Sequence, residues 1–152
     1  MNMHMSHEEE LLLATVRGFL EEECYPHEEM VDRTGEVPEE LGRQIEARSK
    51  ELGLFACNLP EEVGGGGVSL RAQKLIEREY GKTTHALHAW AARPTEILLA
   101  CDADQREEYL LPCVRGDKRE LFALTEPEAG SDAMGMISNA VRVGDVWILI
   151  GS

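Results

Sequence analysis

The chain has 152 residues, of which 43% are hydrophobic and 29% charged, a composition typical of folded globular proteins. Its formal net charge is −14, and because an acidic surface repels a phosphate backbone we expect no nucleic-acid partner. No apolar run in the sequence is long enough to cross a bilayer, so we expect no membrane span.

The N-terminal sequence and the cysteines bear on the compartment. The first residues lack the charged and then apolar layout of a signal peptide. The cysteines are widely spaced, with no Cys-x-x-Cys pair, at positions 24, 57, 101 and 113. We therefore expect a cytoplasmic protein whose reduced thiols serve as small buried hydrophobes.

The first predicted element is a helix that begins with a capping box. Ser6 supplies the hydroxyl cap and Glu9, three residues on, supplies the carboxylate. Val16 and Phe19 belong to an apolar stripe at helical spacing. Pro26 is expected to close this segment.

Two further helices flank a run of four glycines. One is predicted to start near Pro38 and to end at Gly53, and the next to run from Ser69 to Gly81. The glycines at 64–67 could cradle a phosphate, but no strand precedes them as required and no Gly-Lys-Ser/Thr follows. A flexible turn between helices is the favoured interpretation.

The chain then continues as shorter helical pieces. Residues 85–92 and 95–101 read as helical, with a break expected at Arg93 and Pro94. His85 and His88 have the i, i+3 spacing of two metal ligands, but no carboxylate or cysteine joins them at short range. We therefore predict no metal site.

A last helix is predicted before the pattern changes. It should start with a capping box formed by Asp104 and Glu107, be distorted at Pro112 and end at Gly116. Residues 121–125 then read as a short buried strand, and residues 140–143 and 146–150 as a β-hairpin. We expect a helical domain over residues 1–117 and the start of a β-domain over residues 118–152.

The most informative stretch is Phe-Ala-Leu-Thr-Glu-Pro-Glu-Ala-Gly-Ser-Asp at residues 122–132. A short apolar run ends in Thr125, and the small turn that follows offers a second hydroxyl at Ser131 and a close backbone approach at Gly130. Such a group of donors suits a planar polar ring and a phosphate. On the residues alone, a turn without a ligand is the favoured interpretation, with Thr125 capping it and Ser131 in a Ser-Asp turn.

The string at 122–132 resembles the flavin-binding signature of the acyl-CoA dehydrogenase family, usually Ala-Leu-Thr-Glu-Pro-x-Ala-Gly-Ser-Asp. Residues 60–67 are similar to the family's Pro-Glu-x-x-Gly-Gly-x-Gly loop. The family pattern Gln-x-x-x-Tyr-Leu-Pro, with one extra Leu, is similar to the set Gln105, Tyr109, Leu110 and Pro112. The resemblance implies a mainly α chain, namely the N-terminal helical domain of the acyl-CoA dehydrogenase fold followed by the first strands of a β-domain (α+β).

The resemblance also implies a cofactor, FAD, and its site. Thr125 matches the family position that hydrogen-bonds the pyrimidine side of the flavin ring. Ser131 matches the serine that reaches the cofactor phosphate and the acyl-CoA substrate. Phe122 departs from the aromatic hydroxyl found in some relatives. The implied cofactor-binding set is Phe122, Leu124, Thr125, Gly130 and Ser131.

The implied activity is α,β-dehydrogenation of an acyl-CoA thioester in fatty acid metabolism, with hydride transfer to flavin N5. The family's catalytic carboxylate lies in a C-terminal domain, so no catalytic residue is expected here and the 152 residues alone should be inactive. Implied partners are acyl-CoA, an electron-transfer flavoprotein and further copies of the chain in a homo-oligomer. The alternatives are a same-fold acyl-CoA oxidase or flavin monooxygenase, or a non-catalytic helical interaction module that kept the motif.

Overall fold

Helices dominate the part of the chain that the computed structural model describes, residues 4–91 and 94–151. The contacts divide the chain into one unit that ends at Glu120 and a second that begins at Leu121. The helices belong to the first unit and the β-hairpin to the second. The α-helices are α1 His7–Phe19, α2 Glu28–Thr34, α3 Glu39–Glu51, α4 Leu70–Tyr80, α5 His85–His88, α6 Ala103–Gln105 and α7 Leu111–Arg115, and the strands are β1 Asn139–Val143 and β2 Val146–Ile150.

Helix α1 starts with the predicted capping box. Ser6 Oγ accepts a hydrogen bond of 3.1 Å from Glu9 N, and Glu9 Oε2 accepts one of 2.8 Å from Ser6 N. The predicted end at Pro26 is wrong. A π-helical turn, Leu20–Cys24, and a 3₁₀ turn, Tyr25–His27, connect α1 to α2, which ends at Gly35 with φ 75°. Proline is tolerated there because it occupies the first turn of a new helical segment, where its missing N–H is not needed.

Pro112 likewise follows a π-helical turn and lies at the start of a new helix. A π-helical turn, Arg106–Leu110, precedes α7, so the distortion predicted at Pro112 is confirmed. Lys118 Nζ donates to Glu108 O at 2.8 Å, the carbonyl four residues before the proline, with which proline cannot bond. Gly116, with φ 78°, ends α7 as predicted.

The capping box of the preceding helix lies two residues earlier than predicted. Asp102 Oδ1 accepts from Gln105 N at 2.9 Å, and Gln105 Oε1 accepts from Asp102 N at 3.2 Å. The prediction of Asp104 with Glu107 is therefore wrong. A glutamine closes the box as well as a glutamate does, and the earlier pair starts α6 at Ala103.

Helices α3 and α4 begin and end close to the predicted residues. Pro38 is the N-terminal cap residue of α3, and Ser69 Oγ accepts from Ala72 N at 3.2 Å at the start of α4. Gly53 follows α3 with φ 69°, and Gly81 caps α4. The buried side chains of α1, α3 and α4, among them Phe19, form the core of the first unit.

The two helical pieces predicted next are shorter than expected. They are α5 and a 3₁₀ helix, Glu96–Ala100. The predicted break at Arg93 and Pro94 involves residue 93, which lies outside the described residues. Among the described residues, no helix combines the length and the apolar character that spanning a bilayer requires.

The glycine run is the predicted turn between helices, but it is hydrogen-bonded and tightly packed and not flexible as predicted. Its four amide groups all donate to backbone carbonyls, at Glu61 (2.9 Å), Pro60 (3.0 Å), Ala56 (3.1 Å) and Leu59 (2.8 Å) in order from Gly64 to Gly67. A Cβ on Gly65 would lie 2.2 Å from Leu59 O. Glycine is therefore needed for close backbone approach. Because the amide groups are already bonded, they are not available to cradle a phosphate.

Arg119, near the end of the first unit, is anchored to α3 and to Trp90. Glu46 Oε2 accepts from Arg119 at 2.7 Å, and Glu46 Oε1 accepts from Lys50 at 2.7 Å. The Arg119 guanidinium carbon lies 3.4 Å from the centroid of the Trp90 ring. On α3, a Cβ on Gly42 would lie 2.2 Å from that ring. Trp90 is thus in close contact with the backbone of α3 at Gly42.

Replacing Arg119 by alanine is expected to lower the free energy of unfolding by about 1 kcal/mol, since both a cation–π contact and an ion pair are lost. Arg119→Lys should lower the free energy of unfolding by less than Arg119→Ala, because lysine keeps the charge but cannot stack as a planar group on Trp90. Arg115→Ala is the control, since Arg115 pairs with the exposed Asp117. Urea unfolding of the three variants measures the difference, and equal losses for Arg115→Ala and Arg119→Ala would contradict this account.

The second unit contains the predicted hairpin. Strands β1 and β2 pair antiparallel from Asn139 with Ile150 to Val143 with Val146, and Gly144 has φ 63° in the turn between them. The predicted strand at residues 121–125 is wrong: the segment is exposed and has no regular secondary structure. Within residues 121–151 it has no neighbouring strand with which to form a ladder. The expected fold class, mainly α with a short β segment, is confirmed.

Candidate functional site

The segment between the helices and the hairpin, residues 121–138, is called here the motif loop. It folds back on itself at one point, where Glu126 N donates to Ala129 O and Ala129 N donates to Glu126 O, both at 3.1 Å. A 3₁₀ turn, Ala133–Gly135, follows, and β1 then begins at Asn139. The motif loop is therefore a defined turn and not an extended linker.

The Glu126 side chain joins the two ends of this turn. Glu126 is 7% exposed, its Oε2 accepts from Ile137 N at 2.9 Å, and its Oε1 accepts from Ser138 N at 3.0 Å. Hydrogen bonds from the Ser138 side chain and from the amides of Ile137 and Ser138 lower the pKa of Glu126, although burial opposes this. Glu126 was not among the residues predicted from the sequence.

All five predicted cofactor-binding residues lie in the motif loop. Phe122 and Leu124 are exposed apolar side chains, with 67% and 38% of their surfaces accessible. Thr125 and Ser131 are exposed as well, and neither hydroxyl hydrogen-bonds another group within the described residues. The loop thus offers apolar surface and unused hydroxyl groups on one short stretch of chain.

Gly130 is not required by its own surroundings in the second unit. Its φ is outside the left-handed region, and a Cβ built on it would meet nothing within 4 Å. Gly65 and Gly66, by contrast, would bring a Cβ into contact with backbone atoms. The space beside the Gly130 backbone is therefore open within the second unit.

His85 and His88 contact each other, and His88 also contacts an aromatic ring. His85 Nδ1 lies 3.1 Å from His88 Nε2, and the His88 ring stacks on Tyr80 with centroids 5.6 Å apart. Within residues 4–91 and 94–151, no cluster of three or more His, Cys, Asp or Glu side chains is placed to hold a metal ion.

Three of the cysteines are buried as expected, and Cys101 is half-buried. Burial raises the pKa of Cys24 to about 12 and also raises the pKa of Cys57 and of Cys113. A raised pKa keeps these thiols protonated at neutral pH, so they are poor nucleophiles. Their role as small apolar side chains in the core is confirmed.

A mainly helical unit followed by a β-hairpin places the chain in the α+β class, and comparison with known proteins identifies its family. Residues 6–117 match the family model for the acyl-CoA dehydrogenase N-terminal domain. The chain belongs to the acyl-CoA dehydrogenase family.

Relatives and solved structures match almost the whole chain. The chain is 35% identical over 98% of its length to a 3-(aryl)acrylate reductase of Clostridium sporogenes, and 31% identical over 98% to the caffeyl-CoA reductase-Etf complex subunit CarC of Acetobacterium woodii. A glutaryl-CoA dehydrogenase structure from Mycobacterium smegmatis has a TM-score of 0.80 and 29% identity, covering 99% of this chain and 39% of that one. An acyl-CoA dehydrogenase complexed with FAD from Bacillus anthracis has a TM-score of 0.78 and 26% identity, covering 99% of this chain and 26% of that one.

The match covers almost the whole of this chain but less than half of each curated relative. The chain spans 40% of the length of each of these two curated relatives. The similarity therefore concerns one part of those proteins.

Proposed function

We propose that this chain is the N-terminal part of an FAD-dependent enzyme that carries out α,β-dehydrogenation of an acyl-CoA thioester. The observation that carries the proposal is the motif loop, whose sequence has the family's flavin signature and whose Thr125 and Ser131 hydroxyls are exposed and unused within the described residues. The FAD bound to the Bacillus anthracis relative supports the choice of cofactor.

The residues of the motif loop fit a flavin nucleotide. Thr125 can donate a hydrogen bond to a polar ring edge, and Ser131 can donate to a phosphate or to the acyl-CoA. Phe122 and Leu124 offer apolar surface to a planar ring, and the open space at Gly130 allows close approach of the backbone. FAD, when bound, supplies the hydride acceptor of the reaction. These residues bind and orient it.

No acid of this chain is proposed as the catalytic base. Glu126 is the buried carboxylate of the motif loop, and both of its oxygens are already bonded to backbone amides. We assign the base to a part of the fold outside these 152 residues, so the chain alone should be inactive. We also propose that the chain divides into a helical domain, residues 1–117, and the start of a β-domain, residues 118–152.

The partners follow from the same proposal. The substrate is an acyl-CoA, and the electron acceptor is an electron-transfer flavoprotein, supported by the caffeyl-CoA reductase-Etf complex subunit among the relatives. A homo-oligomer, a role in fatty acid metabolism and a cytoplasmic location are proposed with it. Both curated relatives described above are named as reductases, so the proposal covers hydride transfer in either direction.

Removing one hydroxyl of the motif loop should weaken FAD binding. For Thr125→Val and for Ser131→Ala we expect a dissociation constant raised by about tenfold, the equivalent of one lost hydrogen bond. Titration of the apoprotein of the complete gene product with FAD measures the effect. Thr15→Val is the control, because the Thr15 hydroxyl donates only within α1, to Leu11 O. Unchanged FAD and thioester affinity in both variants would contradict the assignment.

A further inference from the structure

The motif loop is closed by one side chain whose role the family signature alone does not reveal. Glu126 accepts hydrogen bonds from two backbone amides that are 11 and 12 residues further along the chain. Its own amide and carbonyl form the short turn with Ala129. A single residue thus fixes both the turn that contains Pro127 and the point at which the chain enters the hairpin.

The geometry leaves this carboxylate little freedom to do anything else. Each oxygen is bonded to a different amide, and the residue is 7% exposed. The two amide groups at Ile137 and Ser138 would lose these acceptors if the carboxylate were absent. Glu126 lies between Thr125 and the turn that leads to Gly130 and Ser131. Fixing Glu126 therefore fixes the backbone on both sides of it.

We propose that Glu126 is a positioning residue that holds the motif loop closed, so that the Thr125 and Ser131 hydroxyls are presented together to the flavin nucleotide. The inference rests on the proposed function, since it names the residue that organises that site. Glu126 neither contacts the reacting atoms nor transfers a proton. It acts through the hydroxyl groups on either side of the turn.

The test compares Glu126→Gln with Glu128→Gln in the complete gene product. Both variants lose one negative charge from the same loop, but Glu128 is exposed and its side chain forms no hydrogen bond or ion pair among the described residues. In Glu126→Gln the amide group can accept through only one oxygen, so one backbone amide loses its partner. We expect the FAD dissociation constant to rise at least about tenfold in Glu126→Gln and less than about twofold in Glu128→Gln.

Two further measurements separate positioning from a purely structural role. Amide hydrogen exchange at Ile137 and Ser138 should become faster in Glu126→Gln, with exchange in α1, α3 and α4 unchanged. At saturating FAD, the visible absorption spectrum of the bound flavin should differ between Glu126→Gln and the wild type, because the hydroxyl donors have moved. A residue that only stabilised the fold would change the unfolding temperature and leave this spectrum as it is.

The outcomes are distinct. If wild-type protein binds FAD and Glu126→Gln binds it equally well, the inference is overturned while the proposed function stands. If amide exchange at Ile137 and Ser138 does not change, the loop is not closed by Glu126 and the inference also fails. If the wild-type protein binds no FAD, the proposed function is wrong, and the positioning role falls with it.

Discussion

Replacing Glu79 by alanine is expected to lower the free energy of unfolding by about 2–3 kcal/mol. The Glu79 side chain has no exposed surface, yet it carries a charge. It accepts two hydrogen bonds from Arg17 on α1, at 3.1 and 3.0 Å, one from Arg78 at 3.3 Å and another from Lys82. Removing it leaves three cations without their shared partner, which costs less than in a fully buried site because the cations are half-exposed.

This ion cluster should also make stability depend on pH. The hydrogen bond from Arg17, with further bonds from Lys82 and Arg78, lowers the pKa of Glu79 to about 2, against the opposing effect of burial. The pKa in the folded state is below that of the unfolded chain, so the stabilisation is complete above about pH 4.5 and is lost as the pH falls towards 2. Glu79→Gln should remove this part of the acid dependence.

Urea unfolding at several pH values measures both effects. Glu77→Gln is the matched control, because Glu77 lies on the same helix and pairs with Lys74 at the surface. We expect that control to change the free energy of unfolding by less than about 0.5 kcal/mol. Equal losses for Glu77→Gln and Glu79→Gln, or an acid dependence in Glu79→Gln as large as that of the wild type, would contradict the role given to the cluster.

Replacing Gly65 by alanine is expected to lower the free energy of unfolding by about 3 kcal/mol or more. The new Cβ would lie 2.2 Å from Leu59 O and 2.5 Å from Leu59 C, and backbone atoms cannot move aside as a flexible side chain can. The turn would open, breaking the hydrogen bond of 2.8 Å from Gly67 N to Leu59 O. The buried Leu59 side chain would lose its packing with it.

Gly18→Ala is the control for this prediction. Gly18 lies within α1, and a Cβ there would meet nothing within 4 Å, so alanine should stabilise the helix by about 0.5–1 kcal/mol. Chemical denaturation gives both values, and helical content by circular dichroism reports on Gly65→Ala if that variant does not fold. If Gly65→Ala were as stable as the wild type, the turn would not have the packing described.

The helices were predictable where local chemistry decides them. The capping boxes and terminal glycines act within one helical turn, so Ser6, Ser69 and Gly116 could be assigned from neighbouring residues alone. Pro26 shows the limit of this reasoning. Proline predicts the end of a helix, whereas the structure accommodates it with a π-helical turn and a new helix start. The sequence does not show which of these outcomes tertiary packing favours.

Contacts beyond one helical turn explain the errors at the glycine run, at residues 121–125 and at Glu126. Four consecutive glycines predict flexibility. In the structure their amides donate to backbone carbonyls within residues 56–61, and the glycines themselves do not reveal these partners. The apolar run at 121–125 has strand character, but a strand also needs a partner to pair with. Glu126 escaped notice for the same reason, because its hydrogen-bond partners lie 11 and 12 residues away. Its one local signal is an acid placed between a hydroxyl residue and a proline.

The central claim is that this chain belongs to an enzyme that binds FAD through the motif loop. The most direct test is the visible absorption spectrum of the purified complete gene product, taken together with its intact mass. The account predicts a yellow protein longer than 152 residues. Adding an acyl-CoA under anaerobic conditions should bleach its flavin absorption band. A colourless protein that takes up no added FAD would contradict it and would favour a helical interaction module.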